Sequence, residues 1–392
     1  MRSPLRWLAI GVFVLSSTLN YLDRQLLAAL APTLKAEFQL NNTEYGQIVS
    51  ASFLIYALVA PFAGWFVDRL GLNLGASIAV LVWSMAGSAT ALFRSVGGLA
   101  ACRVVLHAAE AAGIPSTGKA NAIYLEPREL ALGTAMNQVG ISLGLTLAPL
   151  VAAAMAPRYG WRSAFALCGA LGFVWIPLWW FTSRKAPAAS PAAPPAALAG
   201  SPWSNRRLWL LAAANALVMT TYALWTTWTT LYFVVERHLT EQQANQQFAW
   251  IPPVFAVAGG FCGGWLAYRL IRGGVEVRAA RLRISWAGAV VILTTAAVPF
   301  MPTPGLAAAL ISLSFFSTLA ISANVYALPI DLFGQRHAAF GVAILTSAYG
   351  LMQTAISPIV GSLVDRSGFA PVFGVVAVLP LAGVCVLRWA LK

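Results

Sequence analysis

The chain has 392 residues, 25 Lys and Arg against 12 Asp and Glu, and a formal net charge of +13; only 9% of its side chains are charged and 59% are hydrophobic. So few charges cannot cover the surface of a soluble protein this long, so apolar a chain is not disordered, and the long unbroken apolar runs exclude a transmembrane β-barrel, whose strands alternate. What remains is an all-α polytopic membrane protein. Its apolar runs predict twelve spanning helices, each needing about 20 residues: 6–32, 44–67, 72–93, 98–124, 131–156 and 161–182, then 207–234, 244–270, 280–301, 304–328, 338–363 and 369–390.

The first span carries Asp23 and Arg24, and with them it reads as a span rather than a cleavable signal. Ionisable groups inside spans cost about 2.5–3.5 kcal/mol each at a helix centre, so each is a candidate for function. Adjacent helical residues point about 100° apart, so Asp23 and Arg24 cannot aim at one point but can border one cavity. Arg24 suits a substrate carboxylate, because its planar fork donates parallel hydrogen bonds; Asp23 could hold Arg24 or carry a proton, and a structural ion pair is the plain alternative. The second span holds Tyr56 and ends at Asp68 and Arg69.

The fourth span holds Arg103, His107, Glu110 and Lys119. Arg103 and Glu110 are two turns apart with His107 between them, so the three share one helix face. Glu110 is the first choice for proton carrier, since a carboxyl in a low-dielectric cavity can exchange a proton near neutral pH. Arg103 either touches substrate or neutralises a carboxylate, and His107 is either a packed histidine or a relay. Lys119, near the inner end, either snorkels to the interface or lines an inner vestibule. Asn137 and Gln138 in the fifth span, Asn324 in the tenth, and Tyr349 and Gln353 in the eleventh are polar candidates for substrate hydroxyls or for plain interhelical hydrogen bonds. Tyr222, Trp225, Trp228 and Tyr232 recur at helical spacing in the seventh span, where they either wall a cavity or face lipid.

A Pro/Ala-rich stretch between the sixth and seventh spans marks a linker, 184–206, between an N-terminal half, 1–183, and a C-terminal half, 207–392. With the N-terminus placed inside, sixteen basic residues fall on the inner side and six on the outer. That bias puts both termini in the cytoplasm and explains the basic charge as topology, not nucleic-acid binding. The halves echo each other. Pro149 precedes Tyr159-Gly160-Trp161 as Pro358 precedes Ser367-Gly368-Phe369, and Gly64-Trp65 with Arg69 matches Gly264-Trp265 with Arg269. Two six-helix repeats with a cytoplasmic linker form the architecture of major facilitator transporters. Gly140, Gly144, Pro149, Pro358 and Gly361 are expected to allow close helix packing and bending. Four cysteines in apolar segments and three scattered histidines match no metal or redox motif, so no metal, cofactor or enzymatic centre is expected.

Asn20-Tyr21-Leu22-Asp23-Arg24-Gln25 resembles the opening signature of the anion:cation symporter family of the major facilitator superfamily. Gly64 to Gly71 resembles the superfamily loop motif, although Leu72 and Asn73 stand where basic residues are usual and Tyr268 replaces the acid of the second copy. Arg103 to Pro115, with Lys119 and Pro127-Arg128-Glu129, is similar to that family's fourth span. Phe248-Ala249-Trp250-Ile251-Pro252, Gly263 to Leu266 and Leu328 to Phe333 resemble the hexuronate transporter branch. The resemblance implies proton symport through acids at the positions of Asp23 and Glu110, substrate contact by Tyr56, and gating by Asp68 and Arg69.

The combined expectation is a proton-coupled importer of a small organic anion, a hexuronate or aldonate first. It would be a functional monomer in a bacterial inner membrane, working by alternating access. Uptake of another aromatic or short monocarboxylate, proton-driven efflux of a drug or metabolite, and a transporter-like sensor without turnover are the competing readings.

Overall fold

The computed structural model describes residues 4–126, 129–187 and 205–391, the side chains at 4, 131, 330 and 334–339 excepted. The predicted linker lies largely outside these residues, as do Arg2, Pro127, Arg128 and Lys392. No strand occurs among the described residues. The helices are α1 (Pro4–Ala29), α2 (Ala31–Phe38), α3 (Asn42–Leu70), α4 (Leu72–Thr90), α5 (Val96–Glu110), α6 (Gly113–Tyr124), α7 (Leu130–Tyr159) and α8 (Trp161–Lys185). They continue as α9 (Arg206–Val218), α10 (Thr220–Val235), α11 (Glu241–Ala244), α12 (Ile251–Arg272), α13 (Val277–Ile292), α14 (Pro304–Val325), α15 (Leu328–Ser367) and α16 (Phe369–Leu391). A π turn, Asn245–Ala249, joins α11 to α12, and a 3-10 helix, Leu293–Phe300, extends α13.

Among the described residues, eleven helical stretches are long and apolar enough to cross a membrane. The fourth predicted span, 98–124, is divided between α5 and α6, neither of which is that long. Gly113-Ile114-Pro115 accounts for the interruption. Proline lacks the N–H that would bond four residues back and disfavours helix in the residue before it, but it is tolerated in a first helical turn.

The paired Gly-containing sequence echoes have a conformational basis. Gly160 between α7 and α8 has φ 79°, and Gly368 between α15 and α16 has φ 72°. Both lie where a side chain would be strained. Gly71, between α3 and α4, repeats the device at φ 79°.

Contacts define two compact units. Unit 1 comprises Met1–Leu40, Ala51–Pro194 and Glu241–Gln246. In it α1 packs along α7 and α8, and α4 packs on α8 and α5. Small residues set the α1–α7 approach: a Cβ on Gly140 would meet the side chain and backbone of Val14, and one on Gly144 the backbone of Thr18 and Leu22. In a membrane such packing replaces the hydrophobic drive between helices. Phe13, Trp175 and Trp179 form the aromatic centre, with Phe13 edge-on to Trp179 at 4.9 Å and Trp175 stacked on Trp179 at 5.7 Å. The Trp175 indole N–H donates to the Val12 carbonyl at 2.7 Å, so this buried ring leaves no polar atom unpaired.

Unit 2 comprises Asn41–Ser50, Pro195–Thr240 and Gln247–Lys392. Here α12 lies against α14, α9 against α16, and α13 against α14. Gly259 and Gly263 admit the α14 backbone at Phe316 and Ala320. The first N–H groups of α3 are satisfied within this unit. Asn41 and Glu44 cap each other reciprocally at 2.9 and 2.8 Å, and the Asp365 carboxylate of α15 accepts from the amides of Asn42 and Thr43 at 3.0 and 2.8 Å. Arg237 performs the complementary service at a helix end, donating to the carbonyls of Val298, Pro299 and Met301.

Substituting Gly144→Val should destabilise unit 1 by about 1–3 kcal/mol through overpacking against α1. Gly374→Ala, where an added Cβ meets nothing within 4 Å, should leave stability unchanged or slightly raised. Thermal unfolding of the purified protein in detergent reads both.

Candidate functional site

The charged residues of the first and fourth spans converge in unit 1. Arg24, on α1, donates from Nε and Nη2 to one oxygen of Glu110, Oε2, at 3.1 Å each. The pair is withdrawn from water, with side-chain exposures of 11% and 0%. The guanidinium also lies over the rings of Tyr56 at 4.7 Å and Tyr21 at 5.0 Å, whose π faces favour a cation. The other oxygen of Glu110, Oε1, has no hydrogen-bond partner.

Glu110 borders a small polar cavity together with Ser17, Asn20, Tyr21, Tyr56, Thr117 and Asn137. Ser17 donates to the Asn137 side-chain carbonyl at 2.5 Å, closing the α7 side. The cavity has room for water rather than for a sugar. Sequence reasoning named Tyr56, Glu110 and Asn137 but missed Ser17 and Thr117 and gave Asn20 no role. The overlooked signal is a polar stripe on an apolar helix: Ser17, Asn20 and Arg24 follow at steps of three and four and share one face of α1.

Asp23 does not hold Arg24. Its side chain turns away, with Oδ1 about 3.8 Å from where a Cβ on Gly87 of α4 would stand, and neither carboxyl oxygen is hydrogen-bonded. The residue is 2% exposed. Arg103 follows it. The guanidinium donates to the Asp23 backbone carbonyl at 3.2 Å and the Thr90 hydroxyl at 2.8 Å, and stands over the Phe165 ring at 4.9 Å. The expected single stripe on α5 therefore splits. Arg103 goes to the Asp23 side of α1 and Glu110 to the Arg24 side, while His107 bonds through Nδ1 to the carbonyl of Arg103 at 3.0 Å and meets Phe53 edge-on. Arg103 is buried away from the small cavity among groups of its own chain.

Lys119, expected either to snorkel or to line an inner vestibule, is hydrogen-bonded within unit 1. It reaches the C-terminal end of α3, donating to the Val67 carbonyl and to the Asp68 carboxylate at 3.0 Å each. A cation there complements both the helix end and the acid. Arg69, beside Asp68, lies over Trp65.

Among the described residues the unit 2 candidates are dispersed, and the ion pair nearest to one of them is Arg281–Asp331, from which Arg281 reaches Asn324 at 3.5 Å. Asn324 is fully buried and spends its amide on the carbonyls of Gly263 and Ala320, stitching α14 to α12. Gln353 donates to the Thr227 hydroxyl at 2.9 Å. Tyr222 meets Tyr349 at 6.0 Å and Phe315 at 5.4 Å. The remaining aromatic stripe of α10 is neither cavity wall nor lipid face. Trp225, Trp228 and Tyr232 are about 1% exposed or less and pack with Phe369 and Phe373 of α16. Gln138 is exposed, unlike its neighbour Asn137. Of the cysteines, Cys102 and Cys168 are buried, Cys262 is half-buried and Cys385 is exposed.

Apolar helices of spanning length with a buried arginine–carboxylate pair in one unit fit a membrane transport protein. Residues 13–343 match the Major Facilitator Superfamily, and the chain belongs to it. It is a multi-pass membrane protein of a transporter family, not an enzyme. It is 29% identical to the hexuronate transporter of Escherichia coli strain K12, over 99% of this chain and 94% of that one. It is 30% identical to the galacturonate transporter of Dickeya chrysanthemi, over 67% of this chain and 81% of the relative. In fold it resembles a bacterial homologue of the human lysosomal transporter Spinster, with a TM-score of 0.78 at 18% identity, covering 100% of this chain and 96% of the other.

Replacing Arg24 with Ala should cost about 3–5 kcal/mol, because it strands the buried Glu110 carboxylate. The double variant Arg24→Ala/Glu110→Gln should recover most of that loss. Melting of the four proteins in detergent measures the coupling, and simple additivity would refute it.

Proposed function

We propose that the protein is a proton-coupled symporter that imports a sugar acid, a hexuronate or an aldonate, by alternating access. The observation that carries this reading is the Arg24–Glu110 pair. The Arg24 guanidinium is the binding group a carboxylate needs, and it is held by an internal carboxylate. An incoming anion that takes Arg24 releases Glu110. A buried carboxylate left unpaired costs several kcal/mol, and a proton on Glu110 removes that cost. Anion and proton then bind together, each raising the affinity for the other. No nucleotide is needed.

The names of the relatives support the choice of cargo. Tyr56, beneath Arg24, and Asn137, bordering the small cavity, are the polar groups we assign to sugar hydroxyls, in a state of the carrier where that cavity has widened. Asp23 is the second acid of the proposed coupling machinery, and Asp68 and Arg69 form the proposed inner gate, with Lys119 bonded to Asp68. We read the chain further as two six-helix halves, 1–183 and 207–392, joined by a linker over 184–206. In this reading both termini are cytoplasmic, the protein lies in a bacterial inner membrane, and a monomer is functional.

In proteoliposomes with an acid-outside gradient, the wild type should accumulate radiolabelled glucuronate or galactonate, and Arg24→Ala should abolish uptake. Glu110→Gln should support exchange of internal for external substrate but not accumulation against a gradient. Uptake that ignores both the gradient and Glu110 would sink the coupling mechanism. Uptake of neither sugar acid by folded protein would defeat the choice of cargo.

A further inference from the structure

The division of the fourth span falls at the acid that matters. α5 ends on Glu110 and α6 begins at Gly113. Helix ends leave backbone carbonyls without an intrahelical donor, and a membrane supplies no water to satisfy them. At this end the donor is Asn20 of α1. Its Nδ2 reaches the Glu110 carbonyl oxygen at 3.4 Å. The same amide fills the space over the start of α6: a Cβ added to Gly113 would lie 3.3 Å from Asn20 Nδ2. Asn20 is 4% exposed and therefore committed to these neighbours. It stands one turn before Arg24 on the same face of α1. One helix face thus grips Glu110 twice, Arg24 by the carboxylate and Asn20 by the main chain.

We propose that Asn20 is a positioning residue for Glu110. It holds the α5–α6 interruption so that the Glu110 carboxyl meets Arg24, and a side chain added at Gly113 would press on the Asn20 amide and displace it by a few tenths of an ångström. Without the amide the end of α5 is free to turn. The carboxyl then leaves the environment set by Arg24, Tyr21 and Asp23 from α1, Tyr56 from α3, and Arg103 and His107 on its own helix. The cavity neighbours from α6 and α7, Thr117 and Asn137, are not ionisable. The consequence for transport rests on the reading of Glu110 as proton carrier; the geometric claim does not.

Two measurements on one set of proteins separate these claims. The set is wild type, Asn20→Ala, Gly113→Ala, the double variant, and Glu110→Gln. The first measurement is thermal unfolding in detergent. Gly113→Ala should lower the melting temperature in the Asn20 background and have little effect in the Asn20→Ala background, where the methyl has room. Equal losses in both backgrounds would overturn the proposed contact. The second measurement is glucuronate transport in proteoliposomes. Asn20→Ala should reduce the ratio of gradient-driven accumulation to exchange by about three- to tenfold and shift the pH midpoint of accumulation by about one unit, the equivalent of a tenfold change. The double variant should be no worse than Asn20→Ala alone. Parallel losses of accumulation and exchange with an unmoved pH profile would show a merely structural asparagine. If Glu110→Gln abolishes accumulation while Asn20→Ala matches the wild type, the positioning role fails alone. If Glu110→Gln accumulates normally, the reading of Glu110 fails instead. Should Asn20→Ala not purify as folded protein, Asn20→Ser, which keeps a donor too short to reach, takes its place in both assays with the same expectations.

Discussion

The ion pair between Arg24 and Glu110 is the constraint around which unit 1 is arranged. A charge in hydrocarbon must be matched within the protein, and matching these two fixes where α1 stands against α5. Close approach then has to be possible elsewhere along α1. Gly140 and Gly144 provide it on the α7 side, and the Phe13, Trp175 and Trp179 cluster fills the α8 side. Tyr21 and Tyr56 enclose the guanidinium with rings that attract a cation without carrying a charge. The apolar packing and the polar site are therefore one construction, because the helices that would bury the pair are the helices that position it.

The architecture was legible because the bilayer is a demanding solvent. Each span must be long, apolar and internally hydrogen-bonded, so hydropathy alone locates the helices, and the Gly160 and Gly368 echoes have their counterpart in matching left-handed turns. The interruption after Glu110 was written in Gly113-Ile114-Pro115 but lay inside an apolar run, where composition outweighs a single proline. Site residues were legible where charge made them costly. Asp23, Arg24, Arg103 and Glu110 all stand near one another. Their pairing was not legible, because spacing assigns a face to a helix but not the neighbour that the face meets. The same limit explains α10. Its aromatic periodicity is real, yet whether a stripe meets a cavity, lipid or another helix depends on α16, more than a hundred residues away. Short polar residues such as Ser17 and Thr117 carry too little hydropathy penalty to stand out.

The adjacency of Asp23 and Arg24 takes on meaning once both neighbours are known. Consecutive residues on α1 point to different partners, so one helix serves two buried polar sites. On one side Asp23 lies near Arg103, which is anchored by Thr90 and Phe165. On the other Arg24 holds Glu110. α5 mirrors the division, sending Arg103 to the first site and Glu110 to the second. Two bases and two acids, if all are ionised, leave the group neutral overall, which suits a medium where net charge is expensive.

Neutrality also bears on the proposed coupling. Admitting a carboxylate substrate adds one negative charge to a balanced set, and a proton on either acid restores the balance. The two acids are not equivalent in this respect. Glu110 shares its arginine with the incoming anion and must change partner when the anion arrives, whereas Asp23 has no hydrogen-bonded partner to lose. Direct competition for Arg24 thus falls on Glu110, and Asp23 answers less directly, through the field it shares with Glu110 and Arg103 and through the α1 backbone carbonyl that Arg103 holds. A helix fixed at both sites transmits a change at one to the other. On the proposed reading, the first span is where anion occupancy and the state of both acids become a single equilibrium.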